Sequence, residues 1–323
     1  MKSTFTIGLF LFALSMFAQN KVAHDLKSME DSLVSIFEQL EAPQSDDADK
    51  LQINQLFNNT LRSALQSTAS FNYRFTRLKS ISILTAPDKK FKIFTWAFAT
   101  SEGLYHYYGF TQHYNKKTKT VVLRELHDKT NGTDEYASYG DSTWYGAVYY
   151  EIVPLHAKKD TCYLLLGWDG NNWMSKKKLI EPISFNSNGK IHFGQKILKD
   201  KEEVFVPVTK GKGPIGKAAP RKEKGKEKQR IVFEYAARAS MTLSYNKPMK
   251  MIVFDHLAPS DPAYKNMFMF YAPDFSLDAY YYKNNVWYFS SDIDVRNNKI
   301  IKAQPYSPQA DEDIKLKKTE FNR

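Results

Sequence analysis

The chain has 323 residues, of which 42% are hydrophobic and 15% aromatic, and its formal net charge is +11. The length suffices for a buried core. The chain has a single cysteine, Cys162, which excludes an intramolecular disulfide. Its position within an apolar run predicts a buried thiol. Residues 207–230 hold nine basic and two acidic side chains, a net +7 that leaves +4 elsewhere, so a nucleic-acid partner is not expected.

The N-terminus, MKSTFTIGLFLFALSMFAQN, has the layout of a secretory signal peptide. Lys2 precedes an apolar run from Phe5 to Phe17, and Ala18 offers a small residue for cleavage. This run is too short to span a bilayer, and no later stretch reaches the roughly 18 apolar residues that a spanning helix needs. We therefore expect residues 1–19 to be a signal peptide and the protein to be periplasmic or extracellular, without a transmembrane span.

Residues 20–68 show helical periodicity in two stretches. Apolar side chains recur at helical spacing from Val22 to Leu40, and Pro43 ends the pattern. A cluster of aspartates then follows, and aspartate favours a helix N-terminus. After it, apolar side chains again recur at helical spacing, from Leu51 to Leu65. The pattern predicts a pair of antiparallel helices packed on a sheet.

Residues 69–306 change to β-branched and aromatic runs, such as FKIFTWAFAT and TCYLLLGW, separated by turn residues. These runs predict one aromatic-rich β unit. Together with the helical pair, they predict an α+β fold whose sheet is mostly antiparallel and forms a meander, sandwich or partial barrel. Residues 207–230 lack any apolar period and predict a long basic loop that could touch anionic surfaces. The last residues, 307–323, predict a flexible tail.

The basic segment contains GKGPIGK, which matches the spacing of a phosphate-binding loop. Such a loop must open a helix, but Pro220 follows closely and prevents one. Pro214 removes a backbone donor, and Ala218 stands where a hydroxyl should hold magnesium. The match therefore does not indicate nucleotide binding, and no cofactor is expected from it.

Acidic patches at the ends of predicted strands, with a neighbouring tryptophan and histidine, supply the ligand candidates: Trp168, Asp169, Asp255, His256, Asp274, Asp278, Asp292 and Asp294. Carboxylates with nearby carbonyls suit calcium, the one metal that these patches favour. The same residues also form ordinary turns, and none of the patches matches an EF-hand loop. Both interpretations stay open.

Three further patterns leave the function undecided. The aromatic runs WYGAVYYEI and AYYYKNNVWYF are compatible either with outward platforms for sugar rings or with a sheet buried on both faces. His106 and His113 are seven residues apart on one predicted strand and should point to opposite faces. Asp255 and His256 with a distant aspartate could form an acid/base set, but no catalytic residue is assigned.

From residue 144 onward the chain resembles a group of exported proteins of Bacteroidota, a family of unknown function. The resemblance rests on WYGAVYYEIVP, YLLLGWDGNN, FEYAARASMTLSY, MIVFDHLAP and YAPDFSLDAY. It implies export and one unit that spans the basic segment, and it implies no activity. The sequence thus favours a non-catalytic binding or structural protein of the cell envelope that contacts a glycan or another envelope component. The alternative is a glycan- or envelope-directed hydrolase that uses aspartate and histidine at strand ends.

Overall fold

The computed structural model describes residues 24–42, 45–115, 118–129, 134–154, 162–186, 189–200, 204–206, 221–223 and 225–294. Two helices precede a set of mostly antiparallel sheets, which confirms the predicted α+β class. The predicted signal peptide and the tail at 307–323 lie outside the described residues.

The two helices form the first layer of the fold. Helix α1 spans residues 24–40 and α2 spans Asp47–Gln66, close to the predicted ranges. Asp46 caps α2 by accepting a hydrogen bond from the backbone N–H of Asp49 at 2.8 Å. Apolar side chains such as Phe37 and Phe57 meet edge to face in the core beneath the helices. Within the described residues, neither helix combines the length and hydropathy needed to cross a membrane.

The strands run in chain order as β1 Ser82–Thr85, β2 Phe91–Ala99, β3 Tyr105–Asn115, β4 Thr120–His127, β5 Val148–Pro154, β6 Cys162–Asp169, β7 Ser175–Phe185, β8 Ile191–Phe193, β9 Leu198–Lys199, β10 Val204–Val206, β11 Arg221–Glu223, β12 Glu227–Lys228, β13 Ile231–Ala236, β14 Leu243–Asn246, β15 Met251–Pro259, β16 Tyr271–Lys283 and β17 Val286–Ser290. The first sheet is the meander β1-β2-β3-β4. The central sheet has the order β13-β7-β6-β5, with β8 also on β7. The third has the order β12-β9-β17-β16-β15-β14, and β10 pairs with β11. The sheets are open, so the partial barrel does not describe this fold.

The layers stack as helices, first sheet, central sheet and third sheet. Strand β6 shows why: Tyr163 and Leu165 join the core shared with the first sheet, whereas Leu164 and Leu166 join the core shared with the third. Such alternation with no polar face is typical of a strand covered on both sides. This stacking confirms burial on both faces for the run WYGAVYYEI. The run AYYYKNNVWYF lies in the third sheet, the outer layer, where Tyr281 is exposed and stacks on Tyr288.

A buried ion pair lies within the central layer. Arg230 Nε donates to Glu181 Oε1 at 2.8 Å, and both side chains are fully buried. Arg230 Nη1 also donates to the backbone carbonyls of Asp134 and Ala137, at 2.6 and 2.8 Å. The other oxygen of Glu181 accepts from the hydroxyl of Tyr149. The hydrogen bonds of Arg230 thus hold the segment around residues 134–137 against the central sheet.

The prediction of a long loop over residues 207–230 is wrong at its C-terminal end. Arg221–Glu223 forms β11 and Glu227–Lys228 forms β12, which pairs with β9 at the edge of the third sheet. Strand pairing uses backbone groups, so charged side chains at a sheet edge do not prevent it. Lys228 pairs with Glu135 and Arg230 is buried, so neither is available to an anionic surface. Residues 207–220 and 224 lie outside the described part of the chain.

We expect Arg230→Met to lower the free energy of unfolding by roughly 3–5 kcal/mol, because Glu181 would remain as an unpaired buried charge. Urea unfolding measures this change. The matched control is Lys90→Met, which removes one partner of a surface pair with Asp88 and should cost less than about 1 kcal/mol. A double variant, Glu181→Leu with Arg230→Met, should recover part of the loss; equal stability of the single and double variants would contradict the explanation.

Candidate functional site

The first pair of sequence candidates, Trp168 and Asp169, lies at the end of β6 between the first and central sheets. Asp169 is buried and accepts hydrogen bonds from the hydroxyls of Tyr107 and Tyr145, at 2.6 and 2.8 Å. Burial, and then the charge of Asp169, raises the pKa of Tyr107 well above its ordinary value. The ring of Trp168 packs edge to face on Tyr105. These contacts satisfy Asp169 from within the fold, without a ligand.

Of the remaining candidates, Asp255, His256, Asp274 and Asp278 lie on β15 and β16 of the third sheet, and Asp292 and Asp294 follow β17. The structure brings three of them together. His256 Nδ1 is 2.7 Å from Asp278 Oδ2, and His256 Nε2 is 3.9 Å from Asp274 Oδ2. His256 sits where the register between β15 and β16 shifts, which re-aims its side chain. Asp255 is not part of this group, because its carboxylate accepts from the backbone N–H of Thr242 at 2.6 Å.

The two carboxylates that flank His256 have different surroundings. Asp278 is buried and also accepts from the backbone N–H of Asp292 at 3.1 Å. Asp274 is exposed and accepts from Ser276, whose hydroxyl lowers the pKa of Asp274. Asp294 is half-buried at the end of the described chain.

The pKa of His256 itself is raised, first by its hydrogen bond to Asp278. A buried carboxylate that holds one nitrogen of a part-exposed histidine is the arrangement of a general base and its orienting group. Among the described residues, no group of three or more His, Cys, Asp or Glu is placed to hold a metal ion. The His256 cluster can therefore move a proton or donate and accept hydrogen bonds.

A bulged aromatic residue lies within the same cluster. Phe275, between Asp274 and Ser276, has a positive φ of 72° and a fully exposed side chain. A non-glycine residue in this region of φ carries strain, and strained residues often lie at binding or catalytic sites. The exposed ring of Phe275 lies beside the His256 cluster and offers an apolar surface that a ligand bound at the cluster could contact.

A second site, which the sequence did not reveal, is a cleft of about 570 Å³ at the end of the first sheet. Strand β3 supplies His106 and Tyr108, and β4 supplies Glu125 and His127. Tyr108 and His127 lie directly opposite each other in the register of the two strands. The cleft also includes Asp128, Lys129 and Ser142, which follow β4 in the chain.

The groups in this cleft are held by the neighbouring helix and strands. Glu125 pairs with Arg62 and accepts from Asn58 Nδ2 at 2.7 Å, both on α2. Tyr108 stacks on Trp96 with ring centroids 5.7 Å apart, and burial raises the pKa of its hydroxyl. A fixed ring and carboxylate beside two exposed histidines form a concave, mixed polar and apolar surface of the kind that binds small ligands.

The prediction that His106 and His113 point to opposite faces is confirmed. His106 packs beside Phe98 on the helix side and lines the cleft, whereas His113 stacks on Phe185 of the central sheet. The signal for the cleft was present in the sequence only as polar residues on β3 and β4. It could not be recognised without the register that joins them.

Comparison with known proteins leaves the family open. No protein-family model matches the chain, and no curated protein or solved structure matches it either. Function must therefore be argued from these two sites.

The raised pKa of His256 predicts a pH-dependent contribution to stability. The folded state binds this proton more tightly than the unfolded state, so the stabilisation is complete below the ordinary histidine pKa of about 6.5. It is lost as the pH rises through the raised folded value. We expect His256→Asn to lose more stability, relative to the native chain, at low pH than at high pH in urea unfolding. His192→Asn, at an exposed histidine on β8, is the control. A loss at His256 that is independent of pH would contradict the assignment.

Proposed function

We propose that this protein is an exported, non-catalytic binding protein of the cell envelope, and that it takes a glycan in the cleft between β3, β4 and the residues that follow β4. The cleft carries this proposal because it is concave and places carboxylates, histidines and a tyrosine ring on one surface. The predicted signal peptide supports export. The resemblance to exported Bacteroidota proteins agrees with it.

Glycan hydroxyls need partners that both donate and accept hydrogen bonds. Histidine nitrogens do both, and the carboxylates of Glu125 and Asp128 accept. The ring of Tyr108 stacks on both Trp96 and Phe98, which holds it in place in the wall of the cleft. Because Glu125 is anchored to α2, the site does not need to reorganise on binding, which favours affinity.

Binding to a panel of envelope glycans tests this proposal. A ligand that binds only the folded state raises the unfolding midpoint, and a hundredfold excess over its dissociation constant adds about 2.7 kcal/mol. We expect one glycan class to raise the midpoint of the native chain and to lose most of this effect in His127→Ala. His192→Ala, at an exposed histidine on β8 that does not line the cleft, should respond like the native chain. If no glycan shifts the midpoint, or if both variants respond alike, the cleft is not the site.

A second candidate function is hydrolysis of a glycan or of other envelope material at the His256 cluster. The observation that favours it is the 2.7 Å contact between His256 Nδ1 and buried Asp278, which leaves Nε2 on the more exposed side. Asp274 and Asp278 both approach the same histidine, so the geometry favours a histidine base over two carboxylates facing each other across a cleft.

Release of dye from labelled envelope material distinguishes this candidate from binding alone. If His256 is the base, His256→Asn should reduce the rate at least a hundredfold, in line with the usual contribution of general-base catalysis. Asp278→Asn should reduce the rate by a smaller factor. Asp261→Asn is the matched control, since Asp261 only caps a short turn by accepting from Ala263 N–H. Dye release at the native rate by His256→Asn would exclude the cluster as a catalytic site.

A further inference from the structure

A second, smaller pocket of about 270 Å³ lies at the opposite edge of the first sheet, apart from the cleft and from the His256 cluster. It is bounded by the segment that follows α2, by β1 and by the turn that leads into β2. Three cationic side chains line it: Arg74, Lys89 and Lys92. Asn72 and Thr85 add polar groups to the same lining. Among the residues that the structure describes, none of those lining this pocket is acidic.

Lys92 is the unusual member of this set because it is only 5% exposed. It is placed opposite Thr85 in the register of β1 and β2, with its ammonium 5.9 Å from the ring centre of Phe71. Its Nζ donates to the carbonyl of Tyr73 at 2.6 Å and lies 3.5 Å from that of Ser70. In the described part of the chain, no carboxylate forms an ion pair with Lys92, Arg74 or Lys89.

A buried ammonium without a counter-charge is costly to the fold. Burial lowers the pKa of Lys92 to about 8, which shows how poorly the site solvates the charged form. Two backbone carbonyls satisfy part of its hydrogen bonding but supply no negative charge. A buried charge that lowers the stability of the fold, in a pocket lined by further cations, is typical of a site that binds a ligand of opposite charge.

We propose that this pocket binds a compact oxyanion, such as a phosphate, sulfate or carboxylate group, with Lys92 as its buried counter-charge. Arg74 offers the planar fork that suits such a group, and Asn72 and Thr85 offer neutral donors. The pocket volume fits a single anionic group or one acidic sugar. Lys89, which has a positive φ in the turn before β2, is the third cationic residue that lines the pocket. The site is separate from the proposed glycan cleft and stands whether or not that cleft binds a glycan.

The competing explanation is structural: Lys92 would only bind the carbonyls of Ser70 and Tyr73 and so fix the segment after α2. The two explanations differ in what Lys92→Met should do. A purely structural lysine predicts a destabilised variant with no change in response to anions. A binding lysine predicts a variant that no longer responds to anions.

The test is isothermal calorimetry and thermal unfolding of the full chain with inorganic phosphate, sulfate and glucuronate, each against sodium chloride at equal ionic strength. We expect at least one oxyanion to bind the native chain and to bind Lys92→Met at least tenfold more weakly. Arg74→Gln should weaken binding by a smaller factor. Lys50→Met is the matched control, because Lys50 also donates to a backbone carbonyl, that of Ala99, and lies outside the pocket.

Each outcome decides the proposal. Binding that is lost in Lys92→Met and kept in Lys50→Met supports it, and the preferred anion separates a phosphate site from a uronic-acid site. Vesicles with and without a phosphate-bearing anionic headgroup then separate a lipid source from free phosphate. Three results would overturn the proposal. They are an effect that sodium chloride reproduces, equal binding by Lys92→Met and the native chain, and no binding of any of the three anions. Because Arg74→Gln changes an exposed residue, it keeps the test valid if Lys92→Met fails to fold.

Discussion

The central sheet is buried on both faces, and most of the architecture depends on that constraint. Where the first sheet covers one side of the central sheet and the third sheet covers the other, its side chains are shielded from water, and only positions near the sheet's end, such as Lys177, remain half-buried. Each polar group on it must be satisfied from within the protein. Glu181 is satisfied by Arg230 and the hydroxyl of Tyr149, and Asp169 by two tyrosine hydroxyls. These networks fix how neighbouring layers and loops sit on the central sheet.

The same constraint explains where the candidate sites lie. The inner faces are filled with apolar side chains, so openings can form only where a sheet ends or where its cover stops. The cleft forms at the end of β3 and β4, where α2 and the segment after β4 leave the sheet uncovered. The His256 cluster lies on the part of β15 and β16 that extends beyond the ladders with β14 and β17. The Lys92 pocket lies beside the edge strand β1. The cleft and the Lys92 pocket combine groups from strands with groups from loops, whereas the three side chains of the His256 cluster all lie on β15 and β16, beside a bulge.

Much of the fold could be predicted from the sequence because its signals are local. The helical pair follows from apolar spacing interrupted at Pro43, and the strands from alternation and turn residues. The burial of both faces was left open, because runs such as WYGAVYYEI are equally compatible with an exposed aromatic face. Only the order of the sheets decides between these interpretations, and that order depends on contacts between distant residues.

The sites were less predictable, for the same reason. Asp255, His256, Asp274 and Asp278 were recognised as chemically suitable residues, but their sequence spacing could not show that Asp278 binds His256 while Asp255 binds a backbone group. Arg230 was assigned to a solvated basic loop, because charge density in a segment says nothing about the burial of one member. Lys92 reads as the polar position of an alternating strand. Its face is covered in the fold by the segment after α2, which no local pattern reveals.

Arg230 and Lys92 are both buried cations, but the described fold compensates their charges differently. Arg230 has a carboxylate at 2.8 Å, two carbonyls and the ring of Tyr139 beneath its guanidinium, so its charge is compensated inside the fold. Lys92 is nearly as buried, but its hydrogen-bond partners among the described residues are neutral carbonyls, and two more cations line the same pocket. An apolar side chain of similar size would relieve that repulsion and desolvation. In the described part of the chain, Lys92 borders an open pocket without a compensating carboxylate, which supports the proposal that an anion from outside the chain binds there.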